Sequence, residues 1–295
     1  MPKLTQQQHI QQGLHALLTK KRLSQNELAR LADVSAANIS HILNGRADKP
    51  ISEELWNRAA AVLGDLGELK MVSTANFEAV RATCEQARHE CSLAIVLGEP
   101  GHGKTSALWH YYARQPHTYF VAFRYSDSRR EFFLRTARAL MVDTGKRPTL
   151  AQLIQLCADK LNAATGGLLL IDEASTMQPE KLNYVRELRE LTQNNAGIVL
   201  AGATYFEGRL KRYTTRERDG VPEFVSRVSR VTKLATPTKR ELLTVARANG
   251  VPSEAATELL QKAPVLPEYR GLRHLIRGYH RTAPDAQPDE TTITV

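Results

Sequence analysis

The feature that most constrains the fold of this chain is the stretch at residues 98–105, Gly-Glu-Pro-Gly-His-Gly-Lys-Thr. A glycine, four variable positions and Gly-Lys-Thr form a loop whose backbone N–H groups surround phosphate oxygens. An apolar run at residues 93–97 precedes the stretch, and Ser106, Ala107, Leu108 and Trp109 follow it. The order of strand, glycine-rich loop and helix is the one that such a loop requires. A chance glycine-rich turn is therefore a poor explanation.

The residue types in this loop each have a chemical reason. Glycine has no Cβ, so the backbone can approach phosphate oxygens closely and can adopt positive φ. Lys104 is predicted to meet the β and γ phosphates of ATP, and the Thr105 hydroxyl is predicted to bind Mg²⁺. The positive end of the following helix adds to the attraction. The predicted nucleotide contacts in the loop are Gly98, Gly101, His102, Gly103, Lys104, Thr105 and Ser106.

A second motif, at residues 167–173, supports the first. Its sequence, Gly-Leu-Leu-Leu-Ile-Asp-Glu, is an apolar run of strand length that ends in two carboxylates. In P-loop ATPases an acid at the end of such a strand binds Mg²⁺, so Asp172 is the predicted metal-side acid. Glu173 is predicted to be the general base that orients or deprotonates the attacking water. The alternative is that the two acids cap a helix predicted at residues 178–191.

Length and composition allow one or two domains with a sizeable core. No apolar stretch is long enough to span a bilayer, and the N-terminus has no apolar leader-like segment, so we expect a soluble, cytoplasmic protein without a membrane partner. Cys84, Cys91 and Cys157 lack metal-ligand spacing and are expected to be buried thiols.

The chain carries 40 Lys and Arg against 31 Asp and Glu, and the positive excess lies in residues 71–280. Such a surface favours polyanion binding.

Residues 9–63 predict a bundle of short helices. Ser24 stands three residues before Glu27, a capping-box spacing, and Ser35 begins the next helix. The pattern resembles the helix-turn-helix of phage Cro and repressor proteins, in which the second helix enters the major groove. The groove-facing positions are mostly small and offer no arginine to a guanine, so we expect weak or nonspecific contact. A protein-docking role stays open. The candidate DNA contacts are Gln25, Asn38, Ser40, His41 and Arg46.

Beyond a glycine-rich break at residues 64–67, predicted strands and helices alternate. The strands are expected at residues 93–97, 118–123, 168–171 and 197–201, and helices between them imply a parallel sheet covered on both faces. Residues 237–281 predict a small helical lid, and the tail has too few apolar residues to fold alone. The predicted fold class is α/β, preceded by an all-α helix-turn-helix domain. The predicted segments are residues 1–66 (helix-turn-helix), 67–236 (nucleotide-binding), 237–281 (lid) and 282–295 (disordered tail).

A nucleotide-binding sheet followed by a helical lid resembles the AAA+ family. The resemblance implies that Arg227, before the last strand, reaches the γ-phosphate bound by a neighbouring subunit. It also implies that Arg273, on the lid, contacts the subunit's own nucleotide. The predicted catalytic residues are therefore the two arginines together with Lys104 and Glu173. After the 197–201 strand the family usually has a polar residue, often Asn, facing the attacking water. Thr204 is the substitute here. Two possibilities therefore stay open: slow hydrolysis of ATP, or a switch that depends more on ATP binding than on turnover.

The ordered set of motifs resembles the transposition protein B family of phage Mu and its relatives, over residues 10–280. The resemblance implies ATP-dependent, sequence-tolerant binding of double-stranded DNA and assembly into helical filaments on it. It also implies delivery of target DNA to a transposase, which triggers hydrolysis. The candidate phosphate contacts are Arg129, Arg130, Lys181, Arg186 and the basic segment 207–218.

Three other functions remain as alternatives. A helicase loader or another transposon-helper ATPase would share the architecture but have a different partner. A transcriptional regulator would recognise one operator, and ATP would switch its oligomeric state. A protein-binding scaffold with a degenerate ATPase site is disfavoured because Lys104, Thr105, Asp172 and Glu173 are all present.

Overall fold

A computed structural model describes residues 11, 14, 15, 18, 24–31, 34–44, 70–140, 142–163, 165–192, 195–263 and 268–282. In the N-terminal part, helix α1 (Gln25–Leu31) packs against α2 (Ala36–Asn44). The Ser35 hydroxyl caps α2 by accepting a hydrogen bond from Asn38 N at 3.1 Å, as its position predicts. Leu28 and Ile39 are fully buried. Arg46, the predicted break at 64–67 and the tail from residue 283 lie outside the described residues.

The following part is built on a parallel sheet, in which the described residues form five strands in the order β2-β3-β4-β1-β5. Strands β1, β3 and β4 are buried at every position, because helices cover both faces of a parallel sheet. Their apolar runs are the reason that the sequence predicts them well. The strands are β1 (Leu93–Leu97), β2 (Thr118–Ala122), β3 (Gly167–Asp172), β4 (Ala196–Gly202) and β5 (Val228–Lys233).

Two groups of helices cover the sheet. On one face α3 and α4 bury Val80 and Leu108 against Ala94 and Val96. On the other face α5 to α9 form the larger core, in which Cys157 is fully buried. Cys84, on α3, is also buried, whereas Cys91 is partly exposed, so the expectation of a buried thiol is wrong for Cys91. The helices are α3 (Ala75–His89), α4 (Lys104–Arg114), α5 (Arg129–Ala139), α6 (Leu150–Asn162), α7 (Pro179–Thr192), α8 (Tyr205–Thr215) and α9 (Val221–Ser226).

Among the described residues after β5 there are three helices: α10 (Lys239–Ala248), α11 (Ser253–Lys262) and α12 (Tyr269–Thr282). They share a small apolar core around Leu242 and Ile276. The buried Asn76 side chain, on α3, holds the segment between β5 and α10, because its amide donates to the carbonyl of Ala235 at 2.8 Å and its oxygen accepts from Ala235 N at 3.0 Å. Within the described ranges, no helix is both long and apolar enough to cross a membrane.

Candidate nucleotide-binding site

The glycine-rich loop connects the carboxyl end of β1 to the first turn of α4. Gly101 and Gly103 have φ values of +83° and +87°, the left-handed region that favours glycine. The loop closes on itself where His102 N donates to the carbonyl of Glu99 at 3.2 Å. Because α4 begins at Lys104, the N–H groups of its first turn face the loop, and such a helix start attracts phosphate.

Lys104 and Thr105 lie beside the acids at the end of β3. The Thr105 hydroxyl donates to Asp172 Oδ2 at 2.6 Å. Lys104 Nζ donates to the carbonyls of Gly98 at 2.6 Å and Glu99 at 3.0 Å. Although β4 separates β1 from β3 in the sheet, the loop and α4 bring the two predicted motifs into contact.

Burial sets the electrostatics of this centre. Asp172 is only 3 % exposed, and burial raises the pKa of its carboxyl, against hydrogen bonds from Thr105 and from Glu173 N. Burial likewise lowers the pKa of Lys104, against the charges of Asp172, Glu173 and Glu99. A low local dielectric strengthens every charge interaction. A phosphate at this point would therefore be attracted strongly to Lys104, and a divalent cation strongly to Asp172.

Glu173 has a φ of 57°, which is uncommon for a residue with a side chain. It precedes a short 3-10 turn at Ala174–Thr176 without forming a side-chain cap, and α7 begins only at Pro179. The alternative in which the acids cap that helix is therefore wrong.

Arg209 belongs to the basic segment 207–218, which was predicted to contact DNA phosphates, but its guanidinium is bonded within the protein. Its guanidinium donates to the carbonyls of Ser175 at 2.6 Å and Met177 at 3.3 Å, and to the Tyr213 hydroxyl at 2.7 Å. Arg209 therefore holds the turn that follows Glu173.

Thr204 lies just after β4, beside the glycine-rich loop. Its hydroxyl donates a hydrogen bond to the Glu99 carboxylate. The two loops are adjacent because Leu97 pairs with Gly202 and Gly98 N donates to the carbonyl of Gly202 at 3.2 Å. The structure thus places Thr204 beside the glycine-rich loop, and its role as the polar residue facing the attacking water stays a prediction. The contact with Glu99 was not predicted, because it joins residues 105 positions apart.

The lid reaches the glycine-rich loop through the start of α12. Tyr269 N donates to the carbonyl of Gly101 at 3.1 Å, and a Cβ on Gly101 would lie 1.7 Å from Glu268 Oε2. The Glu268 carboxylate caps α12 by accepting from Arg270 N at 2.7 Å and Gly271 N at 3.3 Å. These contacts place the lid directly against the loop.

Two arginines on α12 are relevant to nucleotide binding. Arg273, the predicted lid arginine, is half-buried one turn into the helix. Arg270 was not predicted, yet its charge adds to burial in lowering the pKa of Lys104. The sequence signal for Arg270 was its position three residues before Arg273, on the same side of a helix.

Arg227 lies at the opposite end of the sheet. It follows α9 directly, and Val228, the first residue of β5, pairs with Leu93, the first residue of β1. The loop begins after Leu97, about 16 Å further along the strand at the usual rise per residue. Arg227 is half exposed, and its guanidinium lies 3.4 Å from Glu190 Oε1. It is therefore remote from the loop of its own subunit.

Of the four candidate DNA contacts on the sheet domain, the structure brings two together. Arg129 and Lys181 line a cleft of about 390 Å³ between the starts of α5 and α7, with Ser128, Gln178 and Glu180. Arg129 stacks on the Tyr184 ring, and Lys181 lies over Phe123. The other two lie apart from this cleft lining: Arg130 donates to the carbonyl of Pro148 at 3.0 Å, and Arg186 is half-buried on α7.

The candidate DNA contacts of the helix-turn-helix have polar, accessible positions. Gln25 is exposed at the start of α1, and Asn38, Ser40 and His41 on α2 are partly exposed. Ser40 Oγ accepts a hydrogen bond from Asn44 Nδ2 at 3.1 Å. These positions are compatible with groove contact, and the weak base recognition expected from the small residues stays a prediction.

Two family models match this chain. The AAA domain model matches residues 87–210, and the helix-turn-helix domain model matches residues 14–69. Among solved structures, Cdc6p from Pyrobaculum aerophilum is 17 % identical and Orc1 from Aeropyrum pernix is 16 % identical, each with a TM-score of 0.55. They cover 75 % and 76 % of this chain, which spans 64 % of each of theirs. At such identities the likeness shows the fold alone, and it confirms the predicted fold class.

Sequence relatives extend over nearly the whole chain. The Mu-like prophage FluMu DNA transposition protein B of Haemophilus influenzae is 27 % identical over 273 residues, which are 89 % of this chain and 92 % of that protein. The ATP-dependent target DNA activator B of Escherichia phage Mu is 26 % identical over 284 residues, or 93 % of this chain and 88 % of that protein. The chain is a homologue of these B proteins. It is an ATPase with an AAA domain, as the sequence predicts.

Proposed function

We propose that the chain is an ATP-dependent, largely sequence-nonspecific DNA-binding protein that assembles on target DNA, delivers it to a transposase and stimulates transposition. The names of its relatives specify DNA transposition, target DNA and dependence on ATP. The helix-turn-helix match supports contact with DNA. The arrangement of the nucleotide site and of Arg227 supports a mechanism for the assembly step.

ATP lies, in this proposal, on the loop at residues 98–105, with its γ-phosphate toward Lys104. Mg²⁺ neutralises charge that develops on the β and γ phosphates. Thr105 and Asp172 fit such an ion, because their oxygens lie 2.6 Å apart and Mg²⁺ binds few protein oxygens while it keeps phosphate and water ligands. Glu173 orients the attacking water, and the turn held by Arg209 keeps Glu173 at the end of β3.

The observation that carries the assembly step is the position of Arg227. It is half exposed at the end of the sheet remote from the subunit's own loop. An arginine stabilises the spread charge of a transferring phosphoryl group only when it lies beside that group. Arg227 therefore acts on ATP held by a second copy of the chain. Because the same relation repeats from copy to copy, it generates a row of subunits, which is a filament where the rotation between copies does not close into a ring.

DNA binding is proposed to rest on charge and backbone geometry more than on base recognition. Residues 71–280 carry the positive excess, and Arg129 and Lys181 flank a cleft at the starts of two helices, where helix dipoles favour phosphate. Contacts of this kind position a protein on a duplex without selecting its sequence. The affinity should then fall steeply as salt is raised.

A site-specific transcriptional regulator is a second candidate, favoured by the packed pair α1 and α2 with its exposed polar side chains. It predicts a footprint at one defined sequence. The proposed function predicts even protection of any duplex, because phosphates are the same everywhere. Footprinting on a long random-sequence duplex therefore separates the two candidates.

The direct test is electron microscopy of the full chain with random-sequence duplex DNA and Mg²⁺, with and without ATP. Continuous filaments that require ATP are expected, and Lys104→Ala is the matched variant that should form none. Isolated particles under all conditions, or filaments equally abundant without ATP, would contradict the proposal.

A further inference from the structure

We propose that Glu99 is a specificity-determining residue of the nucleotide site, whose carboxylate engages the Thr204 hydroxyl until the γ-phosphate of ATP displaces it. ADP, which lacks that phosphate, leaves the contact intact. The inference rests on the proposed binding of ATP to the loop at residues 98–105. It adds a residue that makes this site distinguish ATP from ADP.

The geometry that supports the inference joins two loops at the carboxyl edge of the sheet. Glu99 is the second residue of the glycine-rich loop, and Thr204 follows the end of β4. Their side chains are hydrogen-bonded, with the hydroxyl as donor. The backbone bond from Gly98 N to the carbonyl of Gly202 holds the two loops at this separation. A carboxylate therefore meets the polar group predicted to face the water that attacks the γ-phosphate.

Lys104 reaches the same residue from the other side. Its ammonium donates to the backbone carbonyl of Glu99 at 3.0 Å, and the Glu99 charge counteracts the effect of burial on the pKa of Lys104. Through its carbonyl Glu99 thus contacts Lys104, which is predicted to meet the γ-phosphate. Through its carboxylate it contacts Thr204, which is predicted to face the water that attacks that phosphate.

The α and β phosphates of a nucleotide and the terminal γ-phosphate of ATP have different effects on the Glu99–Thr204 contact. The α and β phosphates lie on the backbone N–H groups of the loop and the start of α4, so they leave the Thr204 hydroxyl engaged. A γ-phosphate adds negative charge next to the Glu99 carboxylate, and like charges at such short range repel. ATP must therefore break the contact and move the carboxylate, whereas ADP does not. The contact lowers the affinity for ATP relative to ADP.

The test measures the dissociation constants of a non-hydrolysable ATP analogue and of ADP for the full chain, without DNA. Glu99→Gln should strengthen binding of the ATP analogue relative to ADP by about three- to tenfold, the size expected from one hydrogen bond and one removed charge. Glu258→Gln is the matched control, since it removes one exposed carboxylate from α11, on the lid, and should leave the ratio unchanged. A purely structural role of Glu99 would move both nucleotides together, and that result would overturn the inference.

A coupling measurement separates the hydrogen bond from the charge. In a Thr204→Val background the gain from Glu99→Gln should shrink, because the partner of the carboxylate is already gone. An undiminished gain would contradict the Glu99–Thr204 contact as the cause. If the wild-type chain binds ATP and the ratio does not respond to Glu99→Gln, this inference alone fails. If the wild-type chain binds neither nucleotide, the assignment of the loop as an ATP site fails with it.

Discussion

Substitution of Gly101 by alanine offers a sharp test of how the glycine-rich loop and the lid meet. Gly101 has a φ of +83°, and an added Cβ would lie 1.7 Å from Glu268 Oε2 and 2.3 Å from Glu268 Cδ. A left-handed backbone with a Cβ costs about 1–2 kcal/mol. Displacing the carboxylate that caps α12 costs about 1 kcal/mol more. Gly101→Ala should therefore lower the free energy of unfolding by about 2–3 kcal/mol.

Gly145→Ala is the matched control for this substitution. Gly145 also has a positive φ, +63°, but an added Cβ would meet nothing within 4 Å. It should cost only the backbone strain, about 1–2 kcal/mol, and leave ATP binding intact, whereas Gly101→Ala should weaken ATP binding because the loop itself is distorted. The assays are urea denaturation followed by circular dichroism and titration with an ATP analogue. Equal losses of stability and normal ATP binding in both variants would refute the contact between the loop and the lid.

Three further predictions concern the acids of the site and the N-terminal helices. Glu173→Gln should bind ATP but hydrolyse it slowly and give longer-lived DNA complexes, and normal turnover in an ATPase assay would remove Glu173 from the base role. Because burial raises the pKa of the Asp172 carboxyl in the folded protein above the usual value of an aspartate, this carboxyl lowers stability as pH rises from the usual pKa to the raised one. Asp172→Asn should therefore gain stability relative to the wild-type chain as pH rises across this interval, and the difference should stay constant at higher pH. Denaturation at a series of pH values measures this difference, and a difference independent of pH would contradict the raised pKa. Deleting residues 1–64 should weaken DNA binding without abolishing ATP binding, and an unchanged salt-dependent affinity would place DNA contact entirely on the ATPase part.

The central sheet was predictable because its inner strands are continuous apolar runs. Strands β1, β3 and β4 are buried on both faces, so nearly all of their side chains are apolar. Strand β5, with the sequence Val-Ser-Arg-Val-Thr-Lys, lies at the edge and is largely exposed. Its polar sequence gives no clear strand pattern, and only the resemblance to the AAA+ family indicated a last strand after Arg227.

The nucleotide site was predictable where local sequence sets the backbone. Glycines with positive φ, a lysine at a helix start and acids at a strand end are recognisable from short motifs, and the 2.6 Å contact between Thr105 and Asp172 brings the two motifs together. Contacts between distant segments were not recognisable. The Glu99–Thr204 hydrogen bond and the packing of Glu268 on Gly101 depend on how the strands and the lid are placed in three dimensions. The role of Arg209 was missed for the same reason.

The most direct test of the account is to mix two inactive variants and measure ATP hydrolysis on DNA. Arg227→Ala removes an arginine whose exposed ion pair contributes at most about 1 kcal/mol to stability, so the subunit should fold and bind ATP while its DNA-stimulated rate falls by a factor on the order of 10³. Lys104→Ala retains Arg227 but does not bind ATP productively. In a mixture, Lys104→Ala subunits should supply Arg227 to ATP held by Arg227→Ala neighbours, and the rate should exceed the sum of the separate variants. A mixture no more active than that sum, or an Arg227→Ala variant that hydrolyses ATP normally by itself, would contradict the claim that each copy completes the site of its neighbour.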